Sequence, residues 1–212
     1  MMTQTFEYVF LQKQQLLEQR ILREKVYMFL WPLCFEYPRF RKWYNGLFEK
    51  SGEICNEREI IICLWSTQIV GVAILKKNVE EKKICTLRVY HLFQRRGVGR
   101  TLIEKSLEWL DDERPLITVR QTKAEQFRKL FDYYGFKLEQ SQRMYYTFLG
   151  TEQVYNGELP EKKGIVYNRL ECLNLSNLLF RLLRKGVQID TDTLINAVVY
   201  YEQNRALDFG FA

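Results

Sequence analysis

Residues 84–110, ICTLRVYHLFQRRGVGRTLIEKSLEWL, decide how the rest of the chain is interpreted. The first part has the pattern of a strand. The last part has apolar residues at helical spacing, at Leu102, Ile103, Leu107 and Leu110. A basic turn with two glycines, residues 94–99, joins them. Glycine lets successive backbone N–H groups converge, and here they precede the positive end of a helix. The stretch therefore predicts a site for phosphate or pyrophosphate.

The spacing of the turn narrows the choice of phosphate ligand. It is not a nucleotide-triphosphate P-loop, because no Gly-Lys-Ser/Thr follows Gly99, and it lacks the G-x-G-x-x-G spacing of a dinucleotide fingerprint. The turn reads Gln-x-x-Gly-x-Gly, and the alternative is an ordinary basic turn between a strand and a helix. The run 87–99, LRVYHLFQRRGVG, resembles the acetyl-CoA-binding motif of the GNAT N-acetyltransferases, which cradles the pyrophosphate of coenzyme A.

The order of the predicted elements agrees with this resemblance, since it reads β–α–α–β–β–β–α–β–α–β–β. The predicted strands are residues 3–10, 59–65, 68–76, a strand from 84, 116–120, 136–138 and 143–149. The predicted helices are residues 12–30, a helical or irregular segment at 37–50, 99–111, and 122–134 with a Thr cap. Residues 130–136, LFDYYGF, also resemble a helix ending of the family, usually written L-Y-E-K-x-G-F.

The resemblance covers residues 3–149 and implies the GNAT fold of the α/β (α+β) class. In that fold a mixed, mostly antiparallel sheet is flanked by helices. We expect a GNAT domain at 1–149 and a largely helical extension at 150–212, with helical patterns at 168–185 and up to Asn204. The apolar faces of this extension need a partner. That partner is the GNAT core, a second subunit in a homodimer, or another protein.

Composition limits the class of protein and its partners. The 212 residues carry a net charge of +6, with 47% hydrophobic and 15% aromatic residues, which is typical of a globular chain that binds an anionic partner such as coenzyme A, RNA or an acidic surface. Five scattered cysteines without a C-x-x-C pair and a single histidine favour no metal site. No signal peptide or membrane-spanning run is evident, so we expect a cytoplasmic protein.

The resemblance implies acetyl-CoA as the acyl donor and assigns its binding residues. Backbone N–H groups of Leu87 and Val89 are expected to bond the pantetheine arm, where the central strand of the family splays from its neighbour. Phe131, in the helix-ending motif, is expected to line the cofactor site. The pyrophosphate is expected on the turn formed by Gln94, Arg95, Arg96, Gly97, Val98, Gly99 and Arg100. The three arginines either add side-chain charge or are simply solvated.

The expected catalytic residues depart from the family pattern. The family often uses a Glu near the start of the central strand as the base, and here Lys83 aligns with it. It often uses a Tyr in the helix-ending motif as the acid, and here Phe131 stands there without a proton to give. Three hypotheses remain: Tyr134, one turn further along the helix, acts as the acid; His91 binds substrate or relays a proton; or no side-chain base is used.

A missing base favours an amine that is already neutral. An α-amine, with a pKa of about 7.7–8.0, is roughly one tenth neutral at pH 7, whereas a lysine amine is about 0.1% neutral or less. GNAT toxins that acetylate the amino acid on aminoacyl-tRNA use an α-amine of this kind as the acceptor. Substrate-binding candidates are Arg39, Arg41 and Lys42, which alternate with aromatics that either stack on RNA or pack inward as an amphipathic helix.

Other acceptors and another class of function stay open. Protein N-termini and small amines are alternative acceptors for an acetyltransferase. A CoA-binding module without catalysis, acting in assembly or regulation, is the alternative that Phe131 supports.

Overall fold

One mixed sheet of seven strands organises the part of the chain that the computed structural model describes, residues 5–37, 39–143, 145–146 and 150–160. The strands are β1 (Phe6–Phe10), β2 (Arg58–Trp65), β3 (Gln68–Lys77), β4 (Lys82–Val89), β5 (Leu116–Arg120), β6 (Leu138–Arg143) and β7 (Thr151–Tyr155). The helices are α1 (Leu16–Leu30), α2 (Leu33–Glu36), α3 (Phe40–Asn45), α4 (Val98–Leu110) and α5 (Ala124–Tyr133). Short 3-10 turns cover Leu11–Lys13, His91–Phe93 and Gln121–Lys123. The helical extension predicted at 168–204 lies outside the described residues.

The strands lie in the order β1-β2-β3-β4-β5-β7-β6, and every neighbouring pair is antiparallel except β4 and β5, which are parallel. The β2–β3 hairpin at the centre has apolar residues on both faces because helices cover both sides of the sheet. Ile61 and Cys63 face a core shared with α4 and α5, whereas Ile60 and Ile62 face a second core shared with α1 and α3. The predicted GNAT fold class is thereby confirmed.

Helix α4 packs closely on the sheet because β3 carries a glycine beneath it. A Cβ built on Gly71 would lie 2.8 Å from Val98 Cγ1, which is too short for a real contact, and 3.0 Å from Leu102 Cδ1, which is unusually tight. Gly71 therefore determines how deeply α4 sits, and with it the position of the turn that precedes α4. This contact was not predicted from the sequence.

The last two strands differ from the prediction. Strands were expected at 136–138 and 143–149, and they lie at Leu138–Arg143 and Thr151–Tyr155 instead. Strand β6, LEQSQR, is a polar edge strand whose residues alternate between exposed and half-buried positions, so apolar periodicity does not detect it. Strand β7 lies between β5 and β6, and the sheet therefore continues past residue 149.

Two helix details were also predicted wrongly. Helix α1 begins at Leu16 rather than residue 12, and three of the apolar residues that gave this segment its helical pattern are exposed: Leu16 at 37%, Leu17 at 70% and Ile21 at 48%. The buried face instead includes Gln19, whose side-chain amide bonds the Ile54 N–H at 3.0 Å and so satisfies a backbone group inside the fold. Helix α5 follows a 3-10 turn and has no side-chain cap, so the predicted Thr cap is absent.

Candidate active site

Strands β4 and β5 separate soon after they meet. They pair at two positions, Lys83 with Leu116 and Ile84 with Ile117, and the rest of β4 up to Val89 has no strand partner on that side among the described residues. A bulge at the Ile84–Thr86 segment of β4, opposite Ile74 and Leu75, lies where the separation begins. The sheet therefore has a wedge-shaped opening, referred to below as the β4–β5 opening.

Backbone groups of β4 point into this opening. Tyr90 N–H donates to Val70 O on the β3 side at 2.8 Å, and backbone groups alternate between the two sides of a strand. The N–H groups of Leu87 and Val89 therefore face the β4–β5 opening, where an extended ligand can pair with them as a strand would. Gln94 Nε2 bonds Val89 O at 3.4 Å and joins the open end of β4 to the turn that follows.

The turn between β4 and α4 has the geometry of an anion site. Arg95 and Gly97 have left-handed backbone conformations, with φ of 60° and 84°. The first helical hydrogen bond runs from Thr101 N–H to Gly97 O at 3.0 Å, so the N–H groups of Val98, Gly99 and Arg100 precede it. These groups lie at the positive end of a 13-residue helix and fit a pyrophosphate.

Three arginine side chains surround the turn and remain accessible to solvent. Arg96 lies over the ring of Phe93, with 5.4 Å between the guanidinium carbon and the ring centroid. Arg100 pairs with Glu104 at 2.9 Å, and the two side chains are 54% and 45% exposed. Arg95 is also exposed. The predicted turn residues thus come together at one end of the opening, and they would give it a positive charge.

Phe131 and Tyr134 occupy different environments. Phe131 is 1% exposed and packs against Phe136 and Tyr155, so its ring belongs to the core rather than to the surface of the cofactor site. Tyr134 is half-buried, and its hydroxyl donates to Glu104 at 3.1 Å. Burial, followed by the hydrogen bond to Glu104, raises the pKa of Tyr134 to about 12. This phenol keeps its proton at neutral pH and can donate it.

His91 lies on the 3-10 turn directly after β4. Its side chain is exposed and makes an edge contact with the ring of Tyr90, with 4.5 Å between the ring centroids. The sequence-predicted residues thus group at the end of β4 and the start of α4, whereas Arg39, Arg41 and Lys42 lie on the other side of the sheet, in and before α3.

The opposite face of the sheet holds a group of charged and phenolic side chains that the sequence analysis missed. Cross-strand register places Arg120 of β5 directly opposite Glu152 of β7. Both side chains lie on the face covered by α1–α3, because the alternate residues Val119 and Tyr155 pack with α5 on the other face. We call this group the acceptor-face cluster, and its members are Glu36, Tyr37, Lys83, Arg120, Lys123, Tyr146 and Glu152.

Glu152 is the most unusual member of the acceptor-face cluster. It is 1% exposed, and its Oε2 atom is buried without a hydrogen-bond partner among the described residues. Burial raises the pKa of its carboxyl group from 4.5 to about 7, although the positive charge of Arg120 opposes the shift. A buried carboxylate without a bonding partner is costly, so its presence calls for an explanation.

Four other members of the cluster, Glu36, Lys83, Lys123 and Tyr146, have partners of their own. Lys123 forms an ion pair with Glu36, and Lys83 Nζ donates to the Tyr146 hydroxyl at 3.4 Å and lies 3.7 Å from Glu81 Oε1. Burial raises the pKa of Tyr146, so this phenol is also protonated at neutral pH. Lys83, which aligns with the missing base of the family, therefore faces the cluster from β4 while a carboxylate enters it from β7.

The aromatic residues of the 39–44 segment pack inward. Phe40 is 3% exposed and Tyr44 is 1% exposed, and Tyr44 donates to Arg23 O at 2.8 Å. The amphipathic-helix interpretation is thus the one observed, and these two rings are not available to stack on bases. The side chains of Arg39, Arg41 and Lys42 remain exposed.

The family follows from the sequence match. The model of the acetyltransferase (GNAT) domain matches residues 42–147, half of the chain, from within α3 through β2–β6. The chain therefore belongs to the GNAT acetyltransferase family, and its domain is that of an N-acetyltransferase. No curated protein matches the chain in sequence.

One of the similar solved structures, ElaA, has a TM-score above 0.5 and supports the same fold. ElaA from Escherichia coli is 12% identical, with a TM-score of 0.51 over 72% of this chain and 99% of that protein. The ribosomal-protein-S18-alanine N-acetyltransferase from Escherichia coli is 15% identical, with a TM-score of 0.48 over 77% of this chain and 100% of that protein. Nourseothricin acetyltransferase is 13% identical, with a TM-score of 0.43 over 47% of this chain and 64% of its own length, less than two thirds. Identities this low establish a shared fold alone.

None of the helices within the described ranges is long and apolar enough to cross a membrane.

Proposed function

We propose that this protein is an acetyl-CoA-dependent N-acetyltransferase that transfers an acetyl group to an amine. The observation that carries the proposal is the β4–β5 opening, which ends at a turn whose backbone N–H groups lie at the N-terminus of α4. A pantetheine arm that pairs with Leu87 and Val89 would run along β4, with the pyrophosphate on the N–H groups of Val98–Arg100. When bound, acetyl-CoA supplies the activated acetyl group as a thioester.

The residues of the chain orient the donor and supply protons. The backbone of β4 would hold the thioester end in the β4–β5 opening, so that an amine approaches from the α1–α3 face. For the proton that the leaving thiol requires, we propose Tyr134, whose phenol is protonated at neutral pH. His91 at the end of β4 is exposed and is proposed to contact the substrate.

For the acceptor we propose an amine on a macromolecule, with the α-amine of aminoacyl-tRNA or of a protein as the specific form. The exposed Arg39, Arg41 and Lys42 support a polyanionic or acidic acceptor, because they present positive charge on the acceptor side of the sheet. Stacking by Phe40 and Tyr44 adds no support, since both rings are buried. A small amine is the alternative acceptor.

Labelled acetyl-CoA tests the proposal. Purified protein is incubated with acetyl-labelled acetyl-CoA and a cell lysate, which is then separated into RNA and protein fractions. Label that enters RNA and is released by mild base, which cleaves the aminoacyl ester, supports aminoacyl-tRNA. Label in protein redirects the acceptor to a polypeptide. No transfer to any fraction or to a set of small amines, despite tight CoA binding, would contradict the enzymatic proposal.

A second candidate function is a CoA-binding module that acts in assembly or regulation. The observation that favours it is Phe131, because a buried phenyl ring at the usual position of the acid has no proton to donate. Tight CoA binding without transfer is the outcome that would support this candidate.

A further inference from the structure

The acceptor-face cluster contains a carboxylate whose burial does not stabilise the folded protein. Glu152 is 1% exposed, and its Oε2 atom has no hydrogen-bond partner within the described part of the chain. Burying a carboxylate without a full set of partners is destabilising. A ligand that brings a hydrogen-bond donor and a positive charge would satisfy this oxygen.

A second buried glutamate shows what a purely structural carboxylate looks like in this fold. Glu59, on β2, is also 1% exposed, and burial raises its pKa as well. Its Oε1 atom, however, accepts the N–H groups of Gln12 at 3.1 Å and Ile60 at 2.8 Å. Glu59 thus holds Gln12 against β2, whereas Oε2 of Glu152 accepts no hydrogen bond from the described residues.

The location of Glu152 relates it to the β4–β5 opening. Its strand, β7, is the neighbour of β5, and its side chain lies on the face opposite α4 and α5. Lys83, at the first of the two positions where β4 pairs with β5, acts on Glu152 electrostatically, as does Glu36 of α2. The carboxylate therefore lies on the side of the sheet from which an acceptor would approach a thioester held in the opening.

We propose that Glu152 binds the ammonium group of the acceptor and acts as the general base of the transfer, a role that rests on the acetyltransferase function proposed above. Oε2 of Glu152 accepts one proton from the ammonium, and the resulting neutral amine forms the new C–N bond while the C–S bond of the thioester breaks. Tyr134 gives its proton to the leaving thiolate, and the second proton lost by the nitrogen restores Tyr134 through solvent. The proton on Glu152 is then released to solvent.

The charges around Glu152 suit this role. A base for work near neutral pH needs a pKa near 7, and burial raises the pKa of Glu152 to about 7. The titratable and charged groups that face it from the neighbouring elements are Glu36 and Tyr37 from α2 and its end, Lys83 from β4, Arg120 from β5, Lys123 from the 3-10 turn before α5, and Tyr146. Lys123 is paired with Glu36, which limits its effect on Glu152.

A base at Glu152 widens the range of pKa that the acceptor amine can have. With a carboxylate base on β7, an amine of high pKa is accessible as well as an α-amine. The absence of a glutamate at Lys83 therefore no longer selects for amines of low pKa.

The test compares Glu152→Gln with Glu59→Gln, a matched buried glutamate outside the site. Bulk aminoacyl-tRNA and a mixture of peptides with free N-termini serve as acceptor probes. For Glu152→Gln we expect kcat/KM for the probe at pH 7 to fall about 100- to 1,000-fold, with acetyl-CoA affinity unchanged. The change in rate with pH around pH 7 should also disappear from the pH–rate profile. Glu59→Gln should keep both the rate and the profile. A Glu152→Gln enzyme with more than about a third of the wild-type rate and the same profile would overturn the proposal.

A second measurement works even if neither probe is acetylated. Side-chain carboxyl carbons are followed by NMR in wild-type protein saturated with CoA. Ethylammonium is added as a simple primary-amine probe. The Glu152 signal is assigned from its loss in Glu152→Gln. We expect this signal to titrate near pH 7 and to shift with ethylammonium, while the Glu59 signal does not respond to the probe. A Glu152 signal that ignores ethylammonium would refute the base role. Failure to bind CoA would instead refute the proposed function.

Discussion

The two faces of the sheet at the β4–β5 opening are built in different ways. On the α4–α5 face, the turn at 94–100 and the strand before it come from one continuous segment, and most of its donors are backbone N–H groups. On the α1–α3 face, Glu36, Lys83, Arg120 and Glu152 come from four separate elements and act through buried side chains. The donor side is therefore a local motif, whereas the acceptor side exists only in the folded chain.

The two sides also differ in stability. Backbone N–H groups at a helix end cost nothing to keep when no ligand is present, because solvent reaches them. A buried carboxylate has to be desolvated in every folded molecule. We therefore expect changes on the donor side to affect CoA binding alone. Removal of the Glu152 charge on the acceptor side should make the protein more stable and less active.

The largest effect is expected from Gly97→Asp on the donor side. The change puts a side chain at φ of 84° and a negative charge at the N-terminus of α4. We expect CoA affinity to fall at least about 100-fold by calorimetry, through loss of the pyrophosphate site. Gly52→Asp is the control, because Gly52 also has a left-handed φ of 93° but lies far from the turn in sequence, next to the Arg20 side chain. Equal loss of affinity in both variants would mean that strain alone is responsible.

Two further glycines separate packing from binding. Gly71→Ala should lower the free energy of unfolding by about 1–3 kcal/mol, because its Cβ would collide with Val98 and displace α4. Gly99→Ala has room, since its nearest contact is Val89 Cγ2 at 3.7 Å, and should keep stability while weakening CoA binding. Denaturant unfolding and calorimetry measure the two effects. An unchanged stability of Gly71→Ala would contradict the close packing of α4 on β3.

The pH dependence of stability tests the acceptor side. Because burial raises the pKa of Glu152 from 4.5 to about 7, the folded state binds its proton more tightly than the unfolded state. The stabilising contribution is complete below about pH 4.5 and is lost as the pH rises through 7. We therefore expect Glu152→Gln to be more stable than wild type at pH 8, by about 1–3 kcal/mol, and equal to it near pH 4. A difference that stays constant between pH 4 and 8 would show that Glu152 does not titrate as inferred.

The smallest effect is expected from Tyr134→Phe. The change removes one hydrogen bond, to Glu104, from a half-buried phenol, so stability should change by less than about 1 kcal/mol. If Tyr134 supplies the proton to the leaving thiol, kcat should fall about tenfold or more while CoA affinity remains. Tyr133→Phe is the neighbouring control, since that hydroxyl accepts from Arg100 instead. Equal values of kcat in both variants would remove Tyr134 from the reaction.

The fold, including the strand, turn and helix of the proposed donor side, was largely predictable from the sequence. Strand β5 was predicted at its observed residues, and β2, β3 and α4 within one residue, because apolar periodicity is strong in the elements of a core. The errors concentrate at β6 and β7. Strand β6 is a polar edge strand, and β7 owes its place to its neighbours in the sheet rather than to its own composition. The prediction for the end of the sheet therefore missed the strand that carries Glu152.

The sequence by itself predicted the family of this protein, which the family match shows, and the turn that we propose as its donor site. Both depend on short-range features: a glycine turn, a helix start and a strand, all within 27 residues. Only the tertiary structure decided the depth of α4 over Gly71, the inward packing of Phe40 and Tyr44, and the pairing of Arg120 with Glu152. The physical reason is that burial and cross-strand register depend on residues far apart in sequence. A glutamate becomes a candidate base only after those contacts remove it from water.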